Sequence, residues 1–162
     1  MVTWPLTLNQ IRKGSPRNTF GMVRRYKNGK PKPHQGWDFI ATIGTPVYAI
    51  GSGNVLFVRH GGKYGVQLCH SFVFRGRRLY AFYAHLQGAL VRKGDWVDID
   101  QHIARTGVSG DAEGLSPSEH HLHFEVREHM ECVKGLAGRL SPQAVFGRCP
   151  LAGATYGGQT IA

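Results

Sequence analysis

Acidic residues are absent from the start of this chain: of its ten aspartates and glutamates, the first is Asp38. Twenty lysines and arginines oppose them, and the formal net charge is +10. A charge of this size favours polyanions and leaves three interpretations open: an anionic substrate, non-specific binding of nucleic acid, and a solvated surface without a partner. Helix-turn-helix, zinc-finger and aromatic RNA-binding signatures are also missing, so no specific recognition of nucleic acid is predicted.

Long apolar runs are missing as well. Residues 1–14 lack the apolar stretch of about seven to fifteen residues that marks a secretory signal, and no segment is long enough to span a membrane. No internal repeat, low-complexity tract or linker divides the sequence. We therefore predict a single domain over residues 1–162, with a core at about 15–148 and a small, polar tail at 151–162 that is mobile or packs late.

Cysteine is scarce, and its count of three is odd. Cys69 lies in a strand-like run and is predicted to be a buried core thiol. Cys132 and Cys149 could pair in an oxidising compartment, and the disulfide and the two free thiols stay open as alternatives. No cysteine adjoins the histidine motifs described below, so a thiolate metal site is not indicated.

Short strand-like runs recur along the chain. They are rich in β-branched and aromatic residues and are bounded by glycine, proline or serine, which predicts an all-β fold of antiparallel sheets or a β-sandwich. Helical periodicity is scarce, and residues 142–146 are predicted to form one or two helical turns. The predicted strands are 37–40, 47–50, 54–58, 66–69, 78–83 and 121–126.

Four histidines and one aspartate lie in three short segments: His34-Gln-Gly-Trp-Asp38, Tyr83-Ala-His85-Leu and His121-Leu-His123. Alternate residues of a strand share a face, so His121 and His123 would enter one site a strand repeat apart. That spacing suits one metal ligand and one outer acid or base. His34 and Asp38, where a loop enters a strand, can converge on one ion. Two neutral imidazoles, a carboxylate and a water form a typical catalytic zinc set.

The other five histidines are predicted to be exposed or structural, because a lone histidine is more often one of these than a ligand. They are His60, His70, His102, His120 and His129.

The motifs around the three segments occur in an order that resembles the lysostaphin-type, or LytM-type, zinc metalloendopeptidases that cut peptidoglycan cross-links. The resemblance extends over roughly residues 15–148 and includes a lead-in at 20–24 and a closing Ser141-Pro142 turn. The intervening motifs are 34–39, 44–49, 51–55, 83–86, 91–97, 106–107 and 121–126.

The resemblance implies a role for each matched residue. His34, Asp38 and His123 would bind one Zn²⁺ per chain, and His85 and His121 would be the catalytic histidines. Some members of the family also use a tyrosine upstream of the first ligand, and the spacing of Tyr26 leaves its role undecided. The implied fold is an antiparallel β-sandwich, with the zinc site in a groove on the larger sheet. We expect loops at 12–33, 86–95 and 108–119 to wall this groove.

The resemblance also implies a partner and a location. The substrate would be the stem peptides and cross-links of peptidoglycan, in the periplasm or the extracellular cell wall. Without a recognisable signal, delivery would use a secretion apparatus or a phage, unless the chain is a mature fragment. An injected antibacterial effector would have a cognate immunity protein. We expect a monomer that does not insert into membranes.

A different function remains as an alternative. Some relatives in this family have lost ligands and regulate cell-wall amidases as catalytically silent binding proteins. Such a regulator should show gaps in the five-residue set, and none is present here.

Overall fold

The protein is described by a computed structural model over residues 1–161. Antiparallel strands dominate these residues, so the predicted all-β fold is confirmed. The strands are β1 (Leu8–Asn9), β2 (Gly21–Arg25), β3 (Pro31–His34), β4 (Trp37–Ile40), β5 (Pro46–Tyr48), β6 (Gly53–Arg59), β7 (Val66–Phe74), β8 (Arg77–Ala89), β9 (Trp96–Val97), β10 (His102–Thr106), β11 (His121–Arg127), β12 (Arg139–Leu140) and β13 (Thr155–Tyr156). The predicted helical turn is confirmed as α1 (Gln143–Phe146), and single 3₁₀ turns occupy Arg12–Gly14, Pro16–Asn18, Gly110–Ala112 and Pro117–Glu119.

A large sheet of nine strands within residues 1–161 forms the body of the protein. Its central path runs β12-β11-β8-β7-β6-β9, while β4 pairs with the first half of β11. The end of β8 continues beyond β11 and pairs with β10, which in turn pairs with β5. Two separate ribbons, β2-β3 and β1-β13, complete the fold.

The alternation of side chains in β11 separates the core from the functional face. Leu122, Phe124 and Val126 belong to the main hydrophobic core. His121, His123 and Glu125 are buried on the opposite face of the same strand. A period of two residues is what an extended strand imposes, and it confirms that the two histidines share a face.

Both chain ends pack against the body of the protein. Trp4 is buried in the core and stacks on Phe146, with ring centroids 4.3 Å apart. Near the other end, β13 pairs with β1, and Val2 and Ile161 exchange backbone hydrogen bonds of 2.9 and 2.7 Å. Residues on both sides of 15–148 thus contact the body of the protein.

The three cysteines are free thiols. Cys69 is buried as predicted, and burial raises the pKa of its thiol to about 12. Cys132 and Cys149 are not bonded to each other, and both are free thiols in this structure. No helix within residues 1–161 has the length and apolar character needed to cross a membrane.

Candidate metal centre

The first functional cluster forms where three strands meet. His34 ends β3, Asp38 lies in β4, and His123 lies opposite Asp38 in β11. The Oδ1 atom of Asp38 is 3.1 Å from Nε2 of His34 and 2.8 Å from Nδ1 of His123. One donor atom from each residue lies within 4.8 Å of the others. Gly36 permits this approach, because a Cβ there would lie 2.1 Å from the carbonyl oxygen of Phe124.

Hydrogen bonds leave one ligand atom of each side chain directed at the centre of the cluster. Nδ1 of His34 donates to the carbonyl oxygen of Thr19 at 2.8 Å, which leaves Nε2 as the acceptor. Nε2 of His123 donates to Oε1 of Glu125 at 3.0 Å, which leaves Nδ1. Such outer partners fix the tautomer and orientation of metal-binding histidines.

Two arginines hold the aspartate in place. The NH2 atoms of Arg12 and Arg24 donate to Oδ2 of Asp38 at 3.1 and 2.9 Å, so Oδ1 is the oxygen that remains for the cluster. The sequence placed Arg24 in the lead-in at 20–24 and Arg12 only among the basic residues, and nothing local links either arginine to a carboxylate at position 38.

The electrostatics of the cluster favour positive charge at its centre. Burial opposes ionisation of Asp38, but the neighbouring His34 and a hydrogen bond from His123 hold its pKa well below the usual value. Burial likewise opposes protonation of His123, yet hydrogen bonds to Asp38 and Glu125 raise its pKa to about 9. A cation bound at Nδ1 of His123 would displace the proton that this atom shares with Asp38. Burial lowers the pKa of His34, so this imidazole is neutral and able to act as a ligand. A tetrahedral divalent cation with one open position fits this set of donors.

Two further histidines lie beside the cluster. Nδ1 of His121 donates to the carbonyl oxygen of Glu119, and Nδ1 of His85 donates to that of Ser109, both at 2.8 Å. Their ring centroids are 5.0 Å apart, and Nε2 of His121 is 3.8 Å from Oδ1 of Asp38. Burial lowers the pKa of His121 to about 4, and burial with the nearby His123 lowers that of His85. Both imidazoles are therefore neutral proton acceptors near neutral pH.

A β-bulge directs His85 into the groove. Val66 pairs with Leu86 while Leu68 pairs with Tyr83, so β8 has one extra residue here. His85 lies at φ 58, a left-handed conformation that is strained for a residue with a Cβ. Backbone hydrogen bonds of 2.9 Å on both sides, to Tyr64 and from Gly107, hold it there. Bulges of this kind often reorient a side chain at a functional site.

Glu125 is the functional residue that sequence analysis left without a role. It is fully buried, and its Oε2 atom accepts hydrogen bonds from Nε of Arg127 at 2.6 Å and Nε of Arg139 at 2.8 Å. The hydroxyl of Tyr64 donates to its Oε1 atom at 2.6 Å. Burial opposes ionisation, but the hydrogen bond from His123 and the two arginines lower the pKa of Glu125. Its position two residues after His123 in a strand was the available signal.

The groove over these residues is walled by four segments, two of which were expected, although segment 12–33 contains β2 and most of β3 and is not a continuous loop. Segment 12–33 contributes Arg12, Arg24, Tyr26 and others, and segment 108–119 contributes Asp111 and Leu115. The expectation for 86–95 is wrong: among the described residues, none of this segment lines the groove, because 86–89 continues β8. Loops at 60–65 and 128–138 line it instead. Both Tyr26 and Tyr64 border the groove.

The remaining histidines lie outside the site. His70 is buried in the core between the carbonyl oxygen of Ser71 and the hydroxyl of Tyr83, each 2.9 Å away. The other four are exposed or half-buried, in agreement with the prediction: His60, His102, His120 and His129.

Comparison with known proteins identifies the family of this chain. Residues 32–134 match the model of peptidase family M23. Peptidoglycan DD-endopeptidase ShyB of Vibrio cholerae is 42% identical over 101 residues, which are 60% of this chain and 21% of ShyB. An uncharacterised metalloprotease of Haemophilus influenzae is 35% identical over 136 residues, which are 81% of this chain and 26% of the relative. The chain thus spans about a fifth to a quarter of the length of these curated relatives.

Solved structures share the fold. A zinc-containing peptidase from Vibrio cholerae superposes with a TM-score of 0.63 at 34% identity, over 76% of this chain and 35% of that one. The catalytic domain of lysostaphin from Staphylococcus simulans gives 0.64 at 26% identity, over 80% of this chain and 90% of that one.

Fold and family match together define a β-sheet domain of the type found in zinc peptidases. The chain belongs to peptidase family M23, whose model covers well over half of it, and the expected relationship to lysostaphin-type proteins is confirmed.

Proposed function

We propose that this chain is a zinc-dependent endopeptidase that hydrolyses peptide cross-links of bacterial peptidoglycan. One observation carries the proposal: a buried His34, Asp38, His123 cluster with one inward ligand atom each, beside two neutral histidines. The membership in family M23 and the DD-endopeptidase relatives support the same reaction. Because these relatives are named DD-endopeptidases, we propose a D,D bond as the cross-link that this chain cuts.

The residues of the cluster divide into two functions. His34, Asp38 and His123 hold one zinc ion per chain, with Glu125 and the carbonyl oxygen of Thr19 fixing the two imidazoles. When bound, zinc supplies Lewis-acid polarisation of the scissile carbonyl and makes its water more acidic.

His85 and His121 act on the reacting groups. Their carbonyl partners take the Nδ1 protons, so both Nε2 atoms are free to take the proton of the attacking water. Positioned acid–base groups of this kind contribute roughly 10²–10⁴ in rate. After proton transfer, the Nε2–H of that histidine donates to the developing oxyanion, for which a fixed donor is worth roughly 10²–10³. The same histidine then gives its proton to the leaving amine as the C–N bond breaks, which returns it to the neutral form.

Digestion of purified peptidoglycan sacculi tests the proposal. We expect cross-linked muropeptide dimers to disappear and matching monomers to appear in mass spectra. A chelator should block the reaction, and added zinc should restore it. Unchanged sacculi in the presence of bound zinc would contradict the endopeptidase and favour the silent amidase regulator, which an amidase-stimulation assay would then detect.

The location and delivery of the enzyme are finer parts of the proposal. A peptidoglycan substrate requires action outside the cytoplasmic membrane. An injected effector should be neutralised by an immunity protein from the same producer, whereas a phage enzyme should lyse cells from without. Co-expression in the periplasm with neighbouring gene products separates these routes. The monomeric state stays a prediction, which light scattering would check.

A further inference from the structure

A second, strongly basic cavity adjoins the metal groove. The 3₁₀ turns Arg12–Gly14 and Pro16–Asn18 form one side of it, and the β2-β3 hairpin forms the other. Arg12, Arg24 and Lys32 line both this cavity and the metal groove, so the two are continuous. A ligand that leaves the metal groove on this side therefore enters the basic cavity.

Half of the cations in this cavity have no carboxylate partner. Six basic side chains line it, against a single carboxylate, Glu119. Arg12 and Arg24 are committed to Asp38, and Lys13 pairs with Glu119. Three cations remain, for which no ion pair exists within residues 1–161: Arg17, Arg25 and Lys32.

Hydrogen bonds tie the turn that carries Arg17 to Arg24 of the β2-β3 hairpin. The amide oxygen of the buried Asn18 accepts from Arg12 at 2.8 Å and from Arg24 at 3.2 Å, and its nitrogen donates to the carbonyl oxygen of Arg12 at 2.7 Å. Nε of Arg24 also donates to the carbonyl oxygen of Arg17 at 2.8 Å. The same arginines that hold Asp38 thus tie the basic cavity to the metal cluster.

We propose that Arg17, Arg25 and Lys32 form a carboxylate-binding subsite for the peptide stem beside the bond that is cut. The proposal rests on the proposed function, because it is the bound peptide that brings a carboxylate into reach. Guanidinium groups bind carboxylates through paired, charge-assisted hydrogen bonds, which gives them directional specificity. Unpaired cations gathered in one cavity repel each other, and a bound anion relieves that repulsion.

Binding of two synthetic stem tetrapeptides to the zinc-loaded chain tests this subsite. In one peptide the carboxylate groups along the stem are free, and in the other the same groups are amidated. The double variant Arg17→Gln/Arg25→Gln removes two of the three cations from exposed positions. Its matched control is Arg75→Gln/Arg78→Gln, which makes the same change of charge at the β7-β8 hairpin. Arg78 lies seven strand residues, or roughly 20 Å, from His85, so the control changes charge away from the groove.

We expect the wild-type chain to bind the free acid at least about tenfold more tightly than the amidated peptide at about 0.15 M salt. Arg17→Gln/Arg25→Gln should lose this preference and keep its affinity for the amidated peptide. The control variant should keep the preference.

Equal binding of the two peptides by the wild type, no measurable binding of either, or equal losses in both double variants would each overturn the subsite. Thermal melting checks that both variants are folded. Sacculus digestion by the wild type judges the proposed function separately, because peptide affinity is measured without turnover.

Discussion

Each inward-facing donor of the cluster depends on a second partner behind it. His123 is held between Asp38 and Glu125, and Asp38 is held by Arg12 and Arg24. Removing a ligand and removing the partner behind it should therefore have different effects. The first eliminates a bond to the metal, whereas the second leaves the bond and weakens its orientation.

Substitution of His123 and of His121 should separate metal binding from catalysis. His123→Ala should lose zinc and activity together, because its Nδ1 atom lies at the centre of the cluster. His121→Ala should lose activity and keep a zinc stoichiometry near one, because its Nε2 atom lies outside that set. Elemental analysis with sacculus digestion measures both. Turnover by the first variant, or zinc loss in the second, would reverse the assigned roles.

Glu125→Gln should lower zinc affinity by about 10–100-fold without removing a ligand. The amide cannot provide the negative charge that holds the Nε2 proton of His123. Competition with a chromophoric chelator measures the affinity. Glu128→Gln is the control, since Glu128 pairs with Arg77 at the surface. The same loss in both variants would mean that overall charge, and not this contact, sets the affinity.

At the scale of elements, the bulge in β8 decides where His85 lies. Leu86 and Gln87 after the bulge pack closely against Gly107, whose added Cβ would lie 2.6 Å from the backbone nitrogen of Gln87. The backbone nitrogen of Gly107 also donates to the carbonyl oxygen of His85. A glycine at this position therefore permits β8 and the segment after β10 to approach as closely as the bulge requires.

Gly107→Ala should displace the bulge, reduce activity and destabilise the fold by about 1–3 kcal/mol, the usual cost of overpacking. Gly88→Ala is the matched control, because an added Cβ there meets nothing within 4 Å. Denaturant unfolding and sacculus digestion measure the two effects. Equal stability and activity in the two variants would show that the bulge tolerates a side chain at 107.

At the scale of the whole molecule, the large sheet separates two kinds of burial. One face carries the main apolar core, and the other carries the site residues beside a smaller apolar cluster of Phe57, Cys69, Phe82 and Ala84. His70 is the exception, since it is a histidine enclosed in the core and held by Tyr83 and a backbone carbonyl. Burial lowers the pKa of His70 to about 4, so it folds as a neutral group.

His70 should make the fold sensitive to acid. As pH falls from 6.5 towards 4, the unfolded chain binds a proton at His70 that the folded chain does not bind, so stability decreases over this window. The unfolding free energy lost over this window amounts to about 3 kcal/mol in all, and His70 adds no pH dependence above pH 6.5.

Urea unfolding at several pH values measures this contribution. His70→Gln should reduce the slope of unfolding free energy against pH between 6.5 and 4, and the exposed His60→Gln is the control. A slope that is unchanged in His70→Gln would assign the acid sensitivity to other groups.

The strands show how far sequence patterns reach. The predicted 37–40 coincides with β4, and 121–126 is one residue shorter than β11. The predicted 78–83 ends six residues before β8 does, because the bulge interrupts the alternation on which the prediction depends. A local period of two residues can identify a strand, but it cannot show that the strand continues past an extra residue.

The sequence by itself determined the side chains of the candidate zinc site, their order, and the common face of His121 and His123. Only the tertiary structure decided how those side chains are held. The arginines at Asp38, the bulge at His85 and the basic cavity all depend on contacts between segments far apart in the chain. Local patterns do not encode such contacts, because they arise from the packing of strands and loops whose positions the whole fold determines.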